Sequence, residues 1–193
     1  MTAATTPTTA PARWTLDPAH SEVGFRVRHM MVSWTKGRFG AFSGTVVLDD
    51  AHPERSTVEV SIEAASIDTR EPQRDQHLRS ADFLDVERHP RIAFRSTAVT
   101  PAGGGAFEVR GELTIRGVTR PVTLEVEGLG PAHRDPWGGV RRGAQARTRI
   151  DRKDFGLVWN GVLEAGGVLV GDEVRIELEV ELVQAQVGAQ RAA

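Results

Sequence analysis

The sequence contains no cysteine. Disulfides, zinc–thiolate centres and cysteine nucleophiles are therefore excluded, and the redox compartment cannot be read from the chain. Lysine is almost absent: Lys36 and Lys153 are the only two, so arginine carries nearly all of the positive charge. The formal net charge is only −2, which gives no long-range field for nucleic acid or an anionic membrane, and no nucleic-acid partner is expected. No stretch approaches the roughly 18 uninterrupted apolar residues of a membrane helix. Residues 1–12 lack a basic start and an apolar run, so they resemble neither a secretory signal nor an anchor and read as a disordered polar tail. The expected location is the cytoplasm, with no integral membrane segment.

What the chain has in quantity is alternation. In residues 20–29, Val23, Phe25, Val27 and His29 fall on one parity and Glu22, Arg26 and Arg28 on the other, the pattern of a strand with one dry and one wet face. The same pattern recurs at residues 38–49, 57–67, 91–100, 106–116, 120–129, 143–151 and 173–183. In the second run the parity slips between Phe39 and Phe42, which predicts a bulge near Gly40. Between Asp68 and Pro90 the period changes. Pro72 suits a first helical turn, Gln73 to Arg79 contains no breaker, and Ser80 can cap a further short turn. The segment offers Leu78, Phe83 and Leu84 to cover one end of a sheet.

Eight alternating runs with one dry face predict an all-β fold, an eight-stranded antiparallel barrel with a short helical insert, its interior either filled by side chains or holding one small ligand. A two-sheet sandwich is the structural alternative. A lipid-spanning barrel is excluded by the charge on the outward parity. At 193 residues one domain is expected: residues 13–184 form the barrel, after the tail at 1–12 and before a frayed end at 185–193.

Several segments leave two readings open. Met30 to Trp34 is either strand-end packing or the apolar rim of a ligand portal. Gly44, Ala64, Ala98, Gly111, Ala144 and Ala146 fall on the inward parity and either leave room for a ligand or relieve barrel corners. His29 is either a satisfied core histidine or a polar anchor for a ligand head group. The apolar, glycine-rich connection at 155–171 is expected to fold over a barrel mouth, with Trp159 as lid or rim. It and the helical insert are the expected mobile gates.

His20 with His29, and His77 with Asp75, Asp82 and Asp85, offer metal-ligating types, but nothing fixes three of them on one point, so no metal is expected. Asp17, His20 and Ser21 lack the context of a catalytic triad, so no catalytic residue or cofactor is assigned.

Taken together, certain segments resemble the YceI-like family. They are Trp14-x-Leu16-Asp17-x-x-His20-Ser21-x-Val23-x-Phe25-x-Val27-x-His29, Gly37-x-Phe39-x-x-Phe42-x-Gly44, and Asp75-x-His77-Leu78-x-Ser80-x-Asp82-Phe83-Leu84-Asp85. Pro90-x-Ile92-x-Phe94-x-Ser96, Gly111-x-Leu113-Thr114-Ile115-x-Gly117-Val118-Thr119 and Ile150-x-Arg152-x-Asp154-Phe155-Gly156 extend the match. The resemblance implies an extended lipocalin-like barrel whose apolar channel binds polyisoprenoid or similar amphiphilic chains, with no catalytic residues to carry over. Some relatives are exported to the periplasm. This chain departs from those in showing no signal, and it has Leu84 and His89 where an aromatic is common.

The expected function is binding and sequestration or transport of a long-chain isoprenoid or similar amphiphilic lipid, without catalysis. An isomerase- or cyclase-type enzyme acting on such a lipid, with His29 as acid or base, is the competing class. A stress-linked interaction protein is a third. The candidate ligand-binding residues are Phe25, Val27, His29, Phe42, Val60, Ile62, Phe83, Phe94, Leu113, Leu124, Ala146, Trp159, Ile176 and Leu178. A homodimer is compatible with the sequence.

Overall fold

The computed structural model describes residues 10–161 and 167–185. Its strands are β1 (Ala12–Leu16), β2 (Glu22–His29), β3 (Ser33–Phe39), β4 (Phe42–Leu48), β5 (Thr57–Glu63), β6 (Ile67–Asp68), β7 (Arg91–Gly103), β8 (Ala106–Ile115), β9 (Val118–Glu127), β10 (His133–Arg134), β11 (Val140–Asp151) and β12 (Val170–Gln184). A single helix, α1 (Pro72–Arg79), interrupts them.

Three pairs of these strands are interrupted single strands. β1 and β2 run one after the other antiparallel to β12: Leu16 faces Leu182, and Glu22 faces Glu179. β3 and β4 run back along them, with Phe39 opposite Val23 and Thr45 opposite Thr15. β5 continues into β6 through a 3-10 turn at Ala64–Ser66. Apart from β10, a two-residue strand paired with the start of β11, the result is eight staves in up-and-down order, each hydrogen-bonded to its sequence neighbour, and the β12 pairings with β1, β2 and β11 close the ring. The closed antiparallel barrel with one short helix, expected from alternation alone, is present.

The interruptions have local causes. Asp17-Pro18 ends β1, since proline supplies no amide hydrogen to the ladder. Trp14–Leu16 is therefore the lower part of the first stave. At Gly40 the expected bulge is a full break between β3 and β4, where the Gly40 amide donates to Ser66 at 3.1 Å. Met30 and Met31, at φ 51° and 58°, are the central residues of the turn that with Val32 joins β2 to β3. With Val32 they are exposed, Val32 by 79%, which overturns the strand-end packing reading of this segment. Ala12 lies in β1, so the barrel begins inside the expected tail. The rest of that tail and of the frayed C-terminus, residues 1–9 and 186–193, lies outside the described residues.

The outward faces carry cross-strand ion pairs such as Arg26–Glu177 at 2.7 Å and Arg147–Glu125 at 2.7 Å. Each contributes little, but together they mark the outer wall as polar. No helix among the described residues is long and apolar enough to cross a membrane.

We call upper the end that holds α1, the β2–β3 turn and the β8–β9 turn. Leu78 of α1, with Phe83 and Leu84 from the turns after it, packs on the core there. Glu71 caps the helix by accepting from the amides of Gln73 and Arg74. The insert is tied down by side chains. Buried Asp75 accepts from the Thr69 amide at 2.9 Å, and Arg79 donates to the carbonyls of Ala65 and Ile67 at 2.8 and 2.7 Å. At the lower end, buried Trp14 packs with Val46 and Leu182, and Arg142 pairs with Asp50.

One charged clasp bridges the β1–β2 interruption. Arg141 of β11 donates to Asp17 at 2.6 Å, to Asp135 at 2.8 Å and to Glu181, while His20 contacts Asp17 at 3.0 Å. The Arg141 hydrogen bond, with help from His20, lowers the Asp17 pKa from its ordinary 3.8 to about 2. A lowered carboxyl contributes stability that is fully present above the unfolded value and is lost as pH falls through the folded one. The melting-temperature difference between wild type and Asp17→Asn is therefore expected to be constant above pH 5 and to shrink between about pH 4 and 2. A difference independent of pH across that window would show that the charge of Asp17 contributes nothing to the clasp.

Candidate functional site

The inward faces enclose a cavity of about 360 Å³. That lies in the range of about 300–1,000 Å³ typical of small-molecule sites. Every stave contributes to its lining: for example, Leu16 and Phe25 on the first, Phe39 and Val46 on the second, Val60 and Ile67 on the third, and Phe94 and Val99 on the fourth. Phe107, Val122, Ala146 and Ile176 represent the remaining four.

Of the fourteen residues expected at the site, the cavity brings together eleven: Phe25, Val27, Val60, Ile62, Phe83, Phe94, Leu113, Leu124, Ala146, Ile176 and Leu178. Three do not line it. Phe42 is buried opposite Ile62 at the start of β4. His29 has the inward parity but does not line the cavity, although Val170, opposite it in the last rung of β2, does. Trp159 lies over the upper end, edge-on to His77 with 4.6 Å between ring centroids and tilted against Phe83 at 5.2 Å.

Small inward residues leave space at some positions only. Ala144 and Ala146 border the cavity, as expected. Gly111 does not: a Cβ there would sit 2.4 Å from the Phe94 ring, which lies over it. At Gly44 the same space is taken by Leu16. Ala98 is exposed, because a bulge between Ser96 and Ala98 reverses the parity of β7 and turns Val99 inward instead. Ala64 is buried in the 3-10 turn, away from the lining.

The lining is apolar apart from a few groups, and the charged ones are already engaged. Asp49 is buried and accepts from the amides of Ala51 and His52 at 3.1 and 2.9 Å. Arg152 was not singled out from the sequence, yet its signal was there: it continues the inward parity of Ala144, Ala146, Thr148 and Ile150. It is 4% exposed. Its Nε donates to Gly171 at 2.9 Å, Nη1 to Leu157 and to Trp159 at 2.9 Å, and Nη2 to Val170 at 3.4 Å and Asp172 at 3.3 Å. This holds Leu157 to Gly161 across the upper end, where Leu157 lines the cavity. The expected cover is thus present in its described part; residues 162–166 of the same connection lie outside the described residues.

Asp17, His20 and Glu181 bring ligand atoms within 4.8 Å of one another. The Arg141 guanidinium sits on Asp17 and Glu181, so a cation would have to displace it, and the group fits an arginine clasp better than a metal. Ser21 exchanges hydrogen bonds with the backbone of Glu181, which takes its hydroxyl away from the neighbouring His20 and Asp17.

Residues 14–182 match the YceI-like domain, and the barrel spans the same residues. The chain belongs to the YceI-like family. It is 40% identical over 166 residues to a UPF0312 protein of Vibrio cholerae, covering 86% of this chain and 83% of that one. It is 44% identical over 138 residues to the YceI protein of Escherichia coli O157:H7, covering 72% and 71%. Among solved structures it resembles Burkholderia cenocepacia BcnA, at TM-score 0.73 and 28% identity over 86% of this chain and 98% of that one. A polyisoprenoid binding domain from Saccharophagus degradans, implicated in plant cell wall breakdown, shares the fold at TM-score 0.64 and 16% identity, covering 89% and 98%. In this YceI-like barrel Arg152 is the residue on which the upper cover depends.

Arg152→Met is expected to destabilise the fold by about 3 kcal/mol or more, because several buried carbonyls lose their donors at once. Arg152→Lys should restore only part of this, since an ammonium lacks the planar fork that reaches four carbonyls and a carboxylate. Urea unfolding measures both. A stable Arg152→Met protein would mean that the cover is held by packing alone.

Proposed function

We propose that the protein binds a long-chain isoprenoid or similar amphiphilic lipid inside the barrel and sequesters or transports it without chemical change. The carrying observation is the apolar cavity of about 360 Å³ running along the barrel beneath the upper cover. Each methylene moved from water into such a space gains about 0.8 kcal/mol, so a long chain binds through its length and needs no strong polar contact. The Saccharophagus degradans barrel of the same fold is a polyisoprenoid binding domain, and an interior of this shape suits the same ligand class.

The positions of the polar groups favour binding over catalysis. An isomerase or cyclase would need an acid or base facing the chain. His29 does not line the cavity, Asp49 is occupied by two amides, and the donors of Arg152 are committed to the cover.

Mass spectrometry of organic extracts from the gently purified protein is expected to recover a prenyl or related long-chain lipid. Ala146→Leu then tests the cavity, because the new side chain enters the space assigned to the ligand. Lipid affinity is expected to fall sharply while the apo melting temperature holds or rises. A filled core would instead absorb the extra atoms as overpacking, at a cost of about 1–3 kcal/mol. A large drop in melting temperature with affinity preserved would sink the binding function.

A further inference from the structure

β9 and β11 are adjacent staves that share only three rungs. Glu125, Val126 and Glu127 face Arg147, Ala146 and Gln145, although β9 reaches up to Val118 and β11 up to Asp151. On its other side β9 pairs with β8 at every residue from Val118 to Val126, and β11 pairs with β12 from Arg141 to Asp151. The wall therefore has a seam at this joint, in its upper half.

The sequence builds this seam in. The two-residue turn at Arg116-Gly117, with φ 51° and 73°, makes Ile115 and Val118 a hydrogen-bonded pair. Even-numbered residues of β9 then serve β8, and odd-numbered ones point their backbone groups at β11. Pro121 is one of the odd ones, and it has no N–H to give. A ladder to β11 could not pass through it.

At the seam the cavity and an outer groove share a wall, and the buried Phe155 borders the groove. Arg120 shares the parity of the cavity-lining residues Val122, Leu124 and Val126, yet it is exposed. A groove of about 520 Å³ lies over the joint, with Arg110, Arg120, Thr123 and Arg149 along it, and Val122, Thr148 and Ile150 border both groove and cavity. Asp151 and Asp154 also border the groove, and Asp151 is occupied as the cap of the following turn, accepting from the Lys153 amide at 2.8 Å. Arg120 donates to the carbonyl of Thr119, and neither it nor Arg149 has an ion-pair partner among the described residues.

We infer that this groove is the head-group site of the bound amphiphile. The apolar chain lies in the cavity, passes out between β9 and β11, and presents an anionic oxygen-rich head, a phosphate or a carboxylate, to Arg120 and Arg149 with Arg110 beside them. The inference rests on the lipid-binding function proposed above. Burying such a head in the apolar interior would be costly, and the groove sets two guanidiniums without ion-pair partners beside the cavity wall, so the head is held there in contact with water. Guanidinium groups suit either anion, because their planar donors match paired oxygens.

Three compounds with one chain separate the possibilities: farnesol, farnesoic acid and farnesyl phosphate, each titrated calorimetrically into wild type, Arg120→Gln/Arg149→Gln and Ala146→Leu. Wild type is expected to bind at least one anion about tenfold more tightly than the alcohol, the scale of charge-assisted hydrogen bonds in a partly exposed site. The double arginine variant should keep its affinity for farnesol and lose most of that preference. Both arginines are exposed, so their loss leaves the core intact. Which anion is preferred tells a phosphate head from a carboxylate. Ala146→Leu should weaken all three ligands alike. Binding without anion preference, or a preference that survives in the double variant, overturns the groove while leaving the cavity standing. Failure of all three compounds to bind wild type overturns the lipid-binding function itself.

Discussion

A buried guanidinium needs every one of its donors satisfied, and that requirement organises the upper half of this barrel. Arg152 leaves β11 on the inward face and spends its donors on the backbone of Leu157, Trp159, Val170 and Gly171 and on Asp172. These partners belong to the stretch that crosses the barrel end and to the start of β12, so one side chain sets the path between the last two long strands. Asn160 adds a second tie, bonding both the amide and the carbonyl of Val170. With the path fixed, Trp159 reaches His77 and Phe83, and the cover and the helical insert become one packed layer.

The interior stays open because its large side chains lie along the wall. Phe25 covers Gly37 across the β2–β3 pair, and Phe94 covers Gly111 across β7 and β8, each so close that a Cβ on the glycine would collide with the ring. A ring laid over a glycine fills the dip left by the missing side chain and does not project toward the barrel axis. Most of the remaining lining is Val, Ile, Leu and Ala, with Phe39, Phe83 and Phe107. The sequence contains no tyrosine, so no phenolic hydroxyl interrupts the apolar lining.

The fold was legible because parity is a property of the backbone: a strand with one wet face shows it in its own residues. Eight runs gave eight staves, and the same rule placed most of the site. It failed where the backbone departs from regular pleating. The bulge in β7 exchanged Ala98 for Val99, and a parity count that runs through a bulge cannot register the exchange. His29 has the right parity but does not line the cavity, although Val170 opposite it does, a difference that the parity of one strand does not show. Gly111 was read as room because a single strand does not reveal what its neighbour lays over it. Arg152 and Arg120 were both visible as arginines on an inward parity. Such residues break the pattern, and here one braces the end of the barrel and the other stands where its wall opens.

The up-and-down order of the staves also governs how the chain is made. Each stave but the last can zip onto the one before it as it leaves the ribosome, so most of the sheet forms from near neighbours in sequence. Closure waits for β12, which pairs with β1, β2 and β11 at once. Until Val170–Gln184 emerges, the nascent protein is an open, curled sheet with two raw edges and its apolar face uncovered, the state most prone to pairing with another chain. The last strand is therefore also the point at which a growing chain stops being a hazard to its neighbours.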